Sequence, residues 1–252
     1  MDFPTTFFGW VSFLLDKYSM DFLRGLLVTL ELAIIGTILG CLIGFIVGMI
    51  RTIPIDEDSS MVRKTLTRII KAVLSVYVEV VRGTPMMVQA MVLYYGTMSI
   101  WDMDIPSFRA GIAVLSLNIG AYMAESVRGA IKGIDPGQME GGKAIGMNYG
   151  QIMARIILPQ AFINLIPQIG NTFVSAIKDT SVLNVIAVTE LYFTAKTITG
   201  TYYKFFETYI IICAIYFILT FTVSYLLKFV DKKLAGGQNY ELILDDSESE
   251  VA

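Results

Sequence analysis

Histidine is absent from the sequence, and charge is scarce. Asp, Glu, Lys and Arg make up 16% of the 252 residues, whereas an ordinary soluble domain carries about 25%. Without histidine the chain lacks the usual general base at neutral pH and the commonest metal ligand. The net charge of -3 at pH 7 argues against a polyanionic partner. These deficits disfavour a soluble enzyme, a metal site, a nucleic-acid binder and a disordered chain.

Apolar residues make up most of the chain. They account for 55% of the sequence, and the mean hydropathy is +0.64. The two cysteines, Cys41 and Cys213, lie far apart inside apolar runs, which predicts small buried hydrophobic side chains and no disulfide. The apolar residues cluster in runs of about 20, the length of a helix that crosses a bilayer. The sequence therefore predicts a multi-span membrane protein.

Five apolar runs predict five membrane crossings. The second run is interrupted at Arg82–Pro85 and the fourth at Lys178–Ser181. Broken helices at membrane depth are tolerated where they are buried in protein or line a cavity, and in transporters they often form the substrate site. A simple proline kink inside a helix bundle is the alternative interpretation. The runs cover residues 25–50, 67–98, 110–131, 158–195 and 208–227.

Basic residues are concentrated after the first, third and fifth runs. By the positive-inside rule these connections are cytoplasmic, so the N-terminus is expected outside the cell and the C-terminus inside. Residues 1–24 mix aromatic and charged side chains, which favours a helix lying along the membrane interface. Residues 25–233 are then the transmembrane domain, in the cell membrane. The acidic segment 234–252 predicts a solvated, disordered cytoplasmic tail.

Four glycines follow one another at a spacing of four residues in the first run. This spacing places them on one helix face, where small residues let a second helix approach closely. We therefore predict a helix–helix contact, and no catalytic role, at this face. The four residues are Gly36, Gly40, Gly44 and Gly48.

The largest polar connection on the predicted cytoplasmic side covers residues 135–159. Two short helical patterns occur in it, at residues 138–145 and 149–158. Gly146 and Asn148 lie between them and suit a left-handed helix end and an N-cap, respectively. This connection, which we call the coupling loop, is predicted to be either a docking surface or a simple connector.

Residues 137–144 of the coupling loop nearly match a phosphate-binding loop. The match fails at its last position, because Ala144 has no hydroxyl group for a magnesium ion. No strand pattern precedes the run, and Glu140 would face the phosphates. These departures disfavour nucleotide binding and predict that the chain has no ATPase of its own.

A second motif runs through the coupling loop. It resembles the cytoplasmic EAA signature of ABC importer permeases. In this sequence the motif reads E-x-x, then three residues, then G, then nine residues, then I-x-L-P. Glycines occupy the positions of the two alanines of that signature, which lowers helix propensity by about 1 kcal/mol at each position. The motif consists of Glu140-Gly141-Gly142, Gly146 and Ile156-Ile157-Leu158-Pro159.

Other segments resemble the polar amino acid branch of these permeases. Each segment is unspecific alone, but their combination is specific, and the resemblance covers about residues 25–233. The segments are Gly25–Leu30, Tyr77–Pro85, Val88-Gln89, Tyr94–Gly96, Ala121–Gly129 and Lys178–Ser181.

The resemblance implies an all-α integral membrane protein with the type I ABC importer permease fold, which has five transmembrane helices, broken helices and a cytoplasmic coupling helix. It implies an ATP-driven amino acid importer in which a second permease chain, identical or related, completes the translocation path. Separate ABC ATPase subunits would hold ATP and Mg, and an extracellular substrate-binding protein or domain would deliver the amino acid. This chain would need no cofactor of its own. The residues expected at the ATPase interface are Glu140, Gly141, Gly142, Lys143, Gly146 and Arg155.

Polar residues at or near the two breaks are candidates for the substrate path. Ionisable side chains inside a membrane are functional candidates by default, and opened helix ends can hold the charged groups of an amino acid. Capping and pairing within the bundle is the alternative, and an ion pair is expected between Glu79 and Arg82, at i and i+3. The path candidates are Thr84, Gln89, Asp179, Thr180, Ser181 and Glu190.

Two other function classes are alternatives to a permease. A channel-like membrane subunit without ATPase coupling would have pore-lining rings and no ordered coupling loop. A membrane-embedded enzyme would need a catalytic constellation, yet the sequence contains no histidine and no GxSxG elbow. The sequence therefore favours a transport subunit over both.

Overall fold

The computed structural model describes residues 3–55 and 60–235, with side chains up to Phe229. Within these ranges the chain forms α-helices and no strand, and a π-helical turn (Met153–Ile157) and a 3-10 turn (Thr180–Ile186) lie between some of the helices. Most of the predicted acidic tail lies outside the described residues. The helices are α1 (Phe7–Thr52), α2 (Met61–Gly83), α3 (Met86–Trp101), α4 (Ser107–Lys132), α5 (Pro136–Ala144), α6 (Tyr149–Ile152), α7 (Leu158–Asp179), α8 (Leu191–Tyr202) and α9 (Phe205–Ala235).

The first helix is much longer than one membrane crossing. α1 has 46 residues, which is about 69 Å at 1.5 Å per residue, whereas the hydrocarbon core of a bilayer is about 30 Å thick. It begins after Thr6, whose hydroxyl accepts a hydrogen bond from the Gly9 N–H at 3.2 Å. The segment predicted to lie along the interface is therefore helical, and it continues into the first apolar run without a loop between them.

The N-terminal half of α1 packs against α8 and α9. Lys17 donates a hydrogen bond to the Tyr202 hydroxyl at 2.6 Å, which lowers the pKa of that phenol. The Lys17 ammonium also lies 5.3 Å from the centre of the Tyr202 ring, within the range of a cation–π contact. Buried apolar side chains complete this layer, namely Leu14, Phe22, Leu191, Ala195, Ile198, Ile211 and Ile212.

The glycine face of α1 lies directly against α4. A Cβ atom added to Gly44 would be 2.4 Å from Met123 Cβ, and one added to Gly48 would be 2.7 Å from the Ala124 carbonyl oxygen. At Gly40 an added Cβ would be 2.6 Å from Ile119. Glycine is required along this line because the two helix backbones approach too closely for a larger side chain.

Four helical segments in the described ranges are long and apolar enough to cross a membrane. The second predicted run is not among them, because it is divided between α2 and α3. The first half of α2 contains several basic residues, and α3 has only 16 residues. The four segments are Phe7–Thr52, Ser107–Lys132, Tyr149–Ile186 and Phe205–Phe229.

Candidate functional site

A cavity of about 460 Å³ lies where the two broken runs meet α4. We call it the central cavity. Its apolar wall includes Pro85, Met86, Ile119 and Val182. This mixture of apolar surface and a few polar groups is typical of small-molecule sites. The polar lining consists of Thr84, Asn118, Tyr122, Gln168, Asn171, Thr172, Ser175 and Asp179.

One carboxylate lines the central cavity. It belongs to Asp179, the last residue of α7, and no Lys or Arg of the described residues lines the same cavity. The amide side chains of Asn118, Gln168 and Asn171 can both donate and accept hydrogen bonds. The cavity can therefore pair with a cationic group at Asp179 and satisfy other polar groups through amides and hydroxyls.

The break between α2 and α3 exposes the N-terminus of α3 to the central cavity. α2 ends at Gly83, and α3 starts after Pro85. Proline has no N–H to donate. Its carbonyl accepts a hydrogen bond from the Gln89 N–H, which closes the first turn of α3. The Thr84 hydroxyl donates to the Val80 carbonyl at 2.8 Å. Helix N-termini hold unpaired N–H groups and a partial positive charge, so this break can receive an anionic group.

Gln89 holds the same break together from the side. Its Nε2 donates to the Val81 carbonyl at 2.7 Å and to the Thr84 carbonyl at 2.9 Å. Its Oε1 accepts a hydrogen bond from Asn118 Nδ2 at 3.2 Å. Gln89 therefore donates hydrogen bonds to carbonyls that the broken helix leaves free. It also links α3 to Asn118 on α4. Asn118 lines the central cavity, whereas Gln89 does not.

The second break turns the chain through hydrogen bonds to preceding carbonyls. The Thr180 hydroxyl is buried and donates to the Ile177 carbonyl at 2.8 Å. The Ser181 hydroxyl donates to the Lys178 carbonyl at 2.7 Å, and its side chain lies toward a different cavity, beside Tyr192. Of the path candidates at this break, the structure places Asp179 alone on the central cavity.

Glu190 is buried, and its carboxylate caps α8. Oε2 accepts from the Tyr192 N–H at 2.9 Å, and Oε1 accepts from the Phe193 N–H at 2.8 Å. The Tyr216 hydroxyl donates to Oε2 at 2.9 Å. These partners account for the buried charge without a ligand, and Glu190 does not line the central cavity. Capping within the bundle was the alternative considered for the path candidates, and Glu190 has that role at the start of α8.

The predicted ion pair between Glu79 and Arg82 is wrong. Neither residue forms a salt bridge in the part of the chain that the structure describes, and the Arg82 guanidinium lies 5.5 Å from the centre of the Tyr122 ring. This cation–π contact joins the end of α2 to Tyr122 on α4, whose ring lines the central cavity.

The coupling loop contains helices at both predicted positions, but the second, predicted at residues 149–158, continues without a break into α7. α5 is capped by Asp135, whose Oδ1 accepts from the Gly137 N–H at 2.7 Å. Gly146 has a φ of +80°, in the left-handed region where glycine is favoured, and it ends the first helix. Asn148 and Gln151 form a capping box, with both hydrogen bonds at 2.9 Å.

Close packing joins the two short helices. Gly142 is buried, and a Cβ atom added to it would be 2.7 Å from Ile152 Cγ1. α6 continues through the π-helical turn directly into α7, which ends at the central cavity with Asp179. The other residues predicted at the ATPase interface are exposed, namely Glu140, Gly141, Lys143, Gly146 and Arg155.

An ion network that the sequence did not predict joins three helices near the coupling loop. Arg51 Nη1 on α1 donates to Glu125 Oε2 on α4 at 2.7 Å, and Arg128 Nε donates to the other oxygen at 2.8 Å. Arg51 Nε also donates to Ser75 Oγ on α2 at 3.2 Å. Glu125 and Arg128 lie three residues apart on α4, whereas the contacts of Arg51 with Glu125 and Ser75 join residues far apart in the chain, which no local pattern reveals.

Residues 59–236 match the model of a protein family described as binding-protein-dependent transport system inner membrane component. The chain belongs to this family. It is 31% identical over 212 residues to the arginine transport system permease protein ArtQ of Bacillus subtilis (strain 168), which covers 84% of this chain and 91% of the relative. It is 32% identical over 213 residues to the glutamine transport system permease protein GlnP of Escherichia coli (strain K12), which covers 84% of this chain and 92% of the relative.

The chain is also similar to solved structures of transporters. The chain superposes with a TM-score of 0.77 and 36% identity on a crystal structure of an amino acid ABC transporter with histidines, over 92% of this chain and 99% of that chain. An inward-facing MetNI methionine ABC transporter has a TM-score of 0.68 at 18% identity, over 86% of this chain, and supports the fold alone. The family and these relatives therefore place the chain among the multi-pass membrane permeases of transport systems.

In this permease the polar lining of the central cavity comes largely from residues that sequence analysis missed. Asn118 and Tyr122 belong to α4, and Gln168, Asn171 and Ser175 belong to α7. On α7 the spacings of three and four residues place these side chains on one helix face. These residues form a polar stripe within an apolar run, and that stripe is the sequence pattern from which the cavity lining on α7 could have been predicted.

Proposed function

We propose that this chain is the permease subunit of an ATP-driven amino acid importer, and that the central cavity is its substrate site within the membrane. The observation that supports this most strongly is the meeting of two broken runs at one cavity with a single carboxylate. Transporter sites near the bilayer midplane are commonly built from such discontinuous helices. The relatives named above transport arginine and glutamine, as their names state.

We infer five crossings with the N-terminus outside. α1, α4 and α9 each cross once, α2 and α3 together form one crossing, and α6 with α7 forms the remaining one. This arrangement agrees with the concentration of basic residues beside the ends of α1, α4 and α9. A second permease chain would complete the path around the central cavity, and an external binding protein or domain would deliver the amino acid.

The polar lining suits both charged groups of an amino acid. Asp179 would pair with the substrate ammonium, and the N-terminus of α3 together with the amides would receive the carboxylate. Because pairing of the two charges needs groups on α3, α4 and α7, movement of α7 relative to α3 would weaken binding and release the substrate.

The coupling loop would transmit that movement from a partner ATPase. Its exposed residues Glu140 and Lys143 are available to a partner, and Gly142 packs tightly on Ile152. α7 has 22 residues and is about 33 Å long. A push on α5 and α6 would therefore reach Asp179 through one connected helix, as a rigid-body displacement. ATP and Mg would be bound by the partner subunit.

The test is ATP-dependent uptake by vesicles that contain the permease, its ATPase subunits and the binding protein. A panel of radiolabelled amino acids identifies the substrate with the wild-type protein. Asp179→Asn is expected to raise KM by about tenfold or more, because a hydrogen bond to a charged group contributes about 1.5–3 kcal/mol. Asp104→Asn removes the same charge at an exposed position outside the cavity and serves as the control.

Unchanged kinetics of Asp179→Asn would contradict the role given to the cavity. Uptake by the wild-type protein that continues without ATP would instead favour the channel-like alternative. Both outcomes are read from the same vesicles, so they separate failure of the site from failure of the importer assignment.

A further inference from the structure

A second cavity lies at the end of α1 and shares no lining residue with the central cavity. It is a groove of about 330 Å³ between the last turn of α1 and the first half of α2. We call it the α2 groove. Its surface is apolar on the α1 side and basic on the α2 side. The residues that define it are Ile50, Ile53, Ile55, Arg63, Lys64 and Ile70.

The charge of the α2 groove suits an anionic ligand. Arg63 is exposed and forms no ion pair with any residue in the ranges 3–55 and 60–235. Lys64 and the hydroxyl-bearing Thr67 line the same groove. Across residues 51–71 five basic residues outnumber three acidic ones. The Arg63 guanidinium and the Thr67 hydroxyl, one turn apart on α2, match the oxygens of a phosphate group, and Lys64 adds a positive charge beside them.

The wall formed by α1 is held in place by α2 itself. Lys71 Nζ donates a hydrogen bond to the Ile53 carbonyl, just after the end of α1. One turn further along α2, Ser75 accepts a hydrogen bond from Arg51. These two contacts keep the apolar and basic sides of the groove together. The groove is therefore a feature of the packed fold and not only of one flexible side chain.

An apolar stripe runs along α2 beside the groove. Its members alternate at spacings of four and three residues, which places them on one helix face. Each is more than half exposed, and a stripe that begins at Val62 and ends at Val80 is about 27 Å long. One leaflet of a bilayer is about 15 Å deep, so this stripe is long enough for an acyl chain. The stripe consists of Val62, Leu66, Ile69, Val73, Val76 and Val80.

We propose that the α2 groove binds the headgroup of an anionic phospholipid from the cytoplasmic leaflet, with an acyl chain along the apolar stripe. The proposal rests on the orientation inferred under the proposed function, which places this end of α1 at the cytoplasmic surface. Anionic lipids of that leaflet are attracted to basic segments at the ends of membrane helices. A free phosphate would use only the groove, whereas a phospholipid uses the groove and the stripe together.

The bound lipid would join α1 to α2 on the outside of the bundle. The groove is next to the network of Arg51, Glu125 and Ser75. In that network the hydrogen bond from Arg51 to Ser75 already connects α1 to α2. Occupation of the groove would therefore stabilise the packing of α2 on α1 at the end of the bundle nearest the coupling loop.

The proposal is tested by native mass spectrometry of the full-length permease, purified in detergent with its ATPase subunits. The complex is titrated with phosphatidylglycerol, with phosphatidylcholine and with glycerol 3-phosphate. Phosphatidylglycerol is expected to bind about tenfold or more tightly than phosphatidylcholine, because the basic groove favours a net negative headgroup. Glycerol 3-phosphate, which lacks acyl chains, is expected neither to bind at these concentrations nor to displace the lipid.

Substitutions place the effect in the groove. Arg63→Gln with Lys64→Gln is expected to abolish the preference for phosphatidylglycerol. Arg24→Gln with Arg109→Gln removes the same charge at exposed positions elsewhere and is expected to keep it. If the double groove variant does not purify as an intact complex, Arg63→Gln alone, an exposed position, is used and is expected to weaken the preference.

Three results would overturn the proposal. Equal binding of the two lipids to the wild-type complex would show that charge does not select the ligand. Binding of glycerol 3-phosphate as tight as that of the lipid would make the groove a site for a free anion. Loss of the ATPase subunits from the groove variant, with the lipid preference unchanged, would make this surface a protein contact. None of these results depends on uptake, so a failed amino acid assignment remains distinguishable.

Discussion

Glu190→Gln separates a structural role for this residue from a role in the substrate path. The wild-type carboxylate accepts three hydrogen bonds, from the N–H groups of Tyr192 and Phe193 and from the Tyr216 hydroxyl. A glutamine amide keeps one oxygen acceptor, and its NH₂ group faces a donor. At least one buried N–H then loses its partner, which costs about 1–3 kcal/mol.

The expected result is a less stable protein with an unchanged substrate affinity. A loss of about 1–3 kcal/mol corresponds to a decrease in Tm of roughly 3–10 °C for a chain of this size. The assay is thermal unfolding of the purified complex in detergent, followed by uptake kinetics in vesicles at a temperature well below the Tm. The substrate KM is expected to stay within about twofold, since Glu190 is buried away from the central cavity.

Glu207→Gln is the matched control for that experiment. Glu207 lies on α9 in the same layer and forms a salt bridge of 3.8 Å with Lys204. The Glu207 side chain is 15% exposed, but its contact with Lys204 at 3.8 Å is too long for a hydrogen bond. Glu207→Gln is therefore expected to lower the Tm less than Glu190→Gln, which removes a partner from a backbone N–H. An unchanged Tm for Glu190→Gln together with an increased KM would refute the capping role and return Glu190 to the substrate path.

Three further predictions concern packing, the ion network and coupling. Gly44→Ala forces a Cβ to 2.4 Å from Met123 and is expected to cost about 1–3 kcal/mol in thermal unfolding, whereas Gly96→Ala, with nothing within 4 Å, is expected to be neutral or stabilising. Glu125→Gln weakens the pairing with two arginines and is expected to lower the Tm by several degrees, about 1–3 kcal/mol; an unchanged Tm would contradict the network. Glu140→Lys is expected to insert normally but to lose the stimulation of ATPase activity by the loaded binding protein, and normal uptake would refute the coupling role.

Local sequence patterns predicted many of the positions where helices begin, end or break. The break after Gly83 followed from Thr84-Pro85, because proline has no N–H and disfavours a helical residue before it. Gly146 and Asn148 were expected as a left-handed helix end and an N-cap, and the structure confirms both. These features depend on one or two residues and their neighbours in the chain, so sequence is sufficient for them.

Side-chain partners across the bundle were harder to predict. The pairing of Glu79 with Arg82 was expected from helical spacing, yet Arg82 lies on the Tyr122 ring of another helix. Gln89 was expected on the substrate path, but its amide is used to pair the carbonyls of the broken helix. For Arg82 a tertiary neighbour replaced the local partner, and for Gln89 the break placed the Val81 and Thr84 carbonyls within reach of its amide. Helical periodicity contains no information about either partner.

The amino-acid sequence by itself determined the membrane class, the positions of the breaks, the caps of the coupling loop and the family. Those properties depend on hydropathy, spacing and backbone chemistry that are local to the chain. Only the tertiary structure decided which polar residues share a cavity. Thr84, Asn118 and Asp179 are brought together because the glycine face of α1 lets α4 pack closely and because two helix breaks open toward the same side. In the same packing Glu190 is buried away from the cavity. Its carboxylate therefore accepts hydrogen bonds from the backbone N–H groups at the start of α8 and does not contact a ligand.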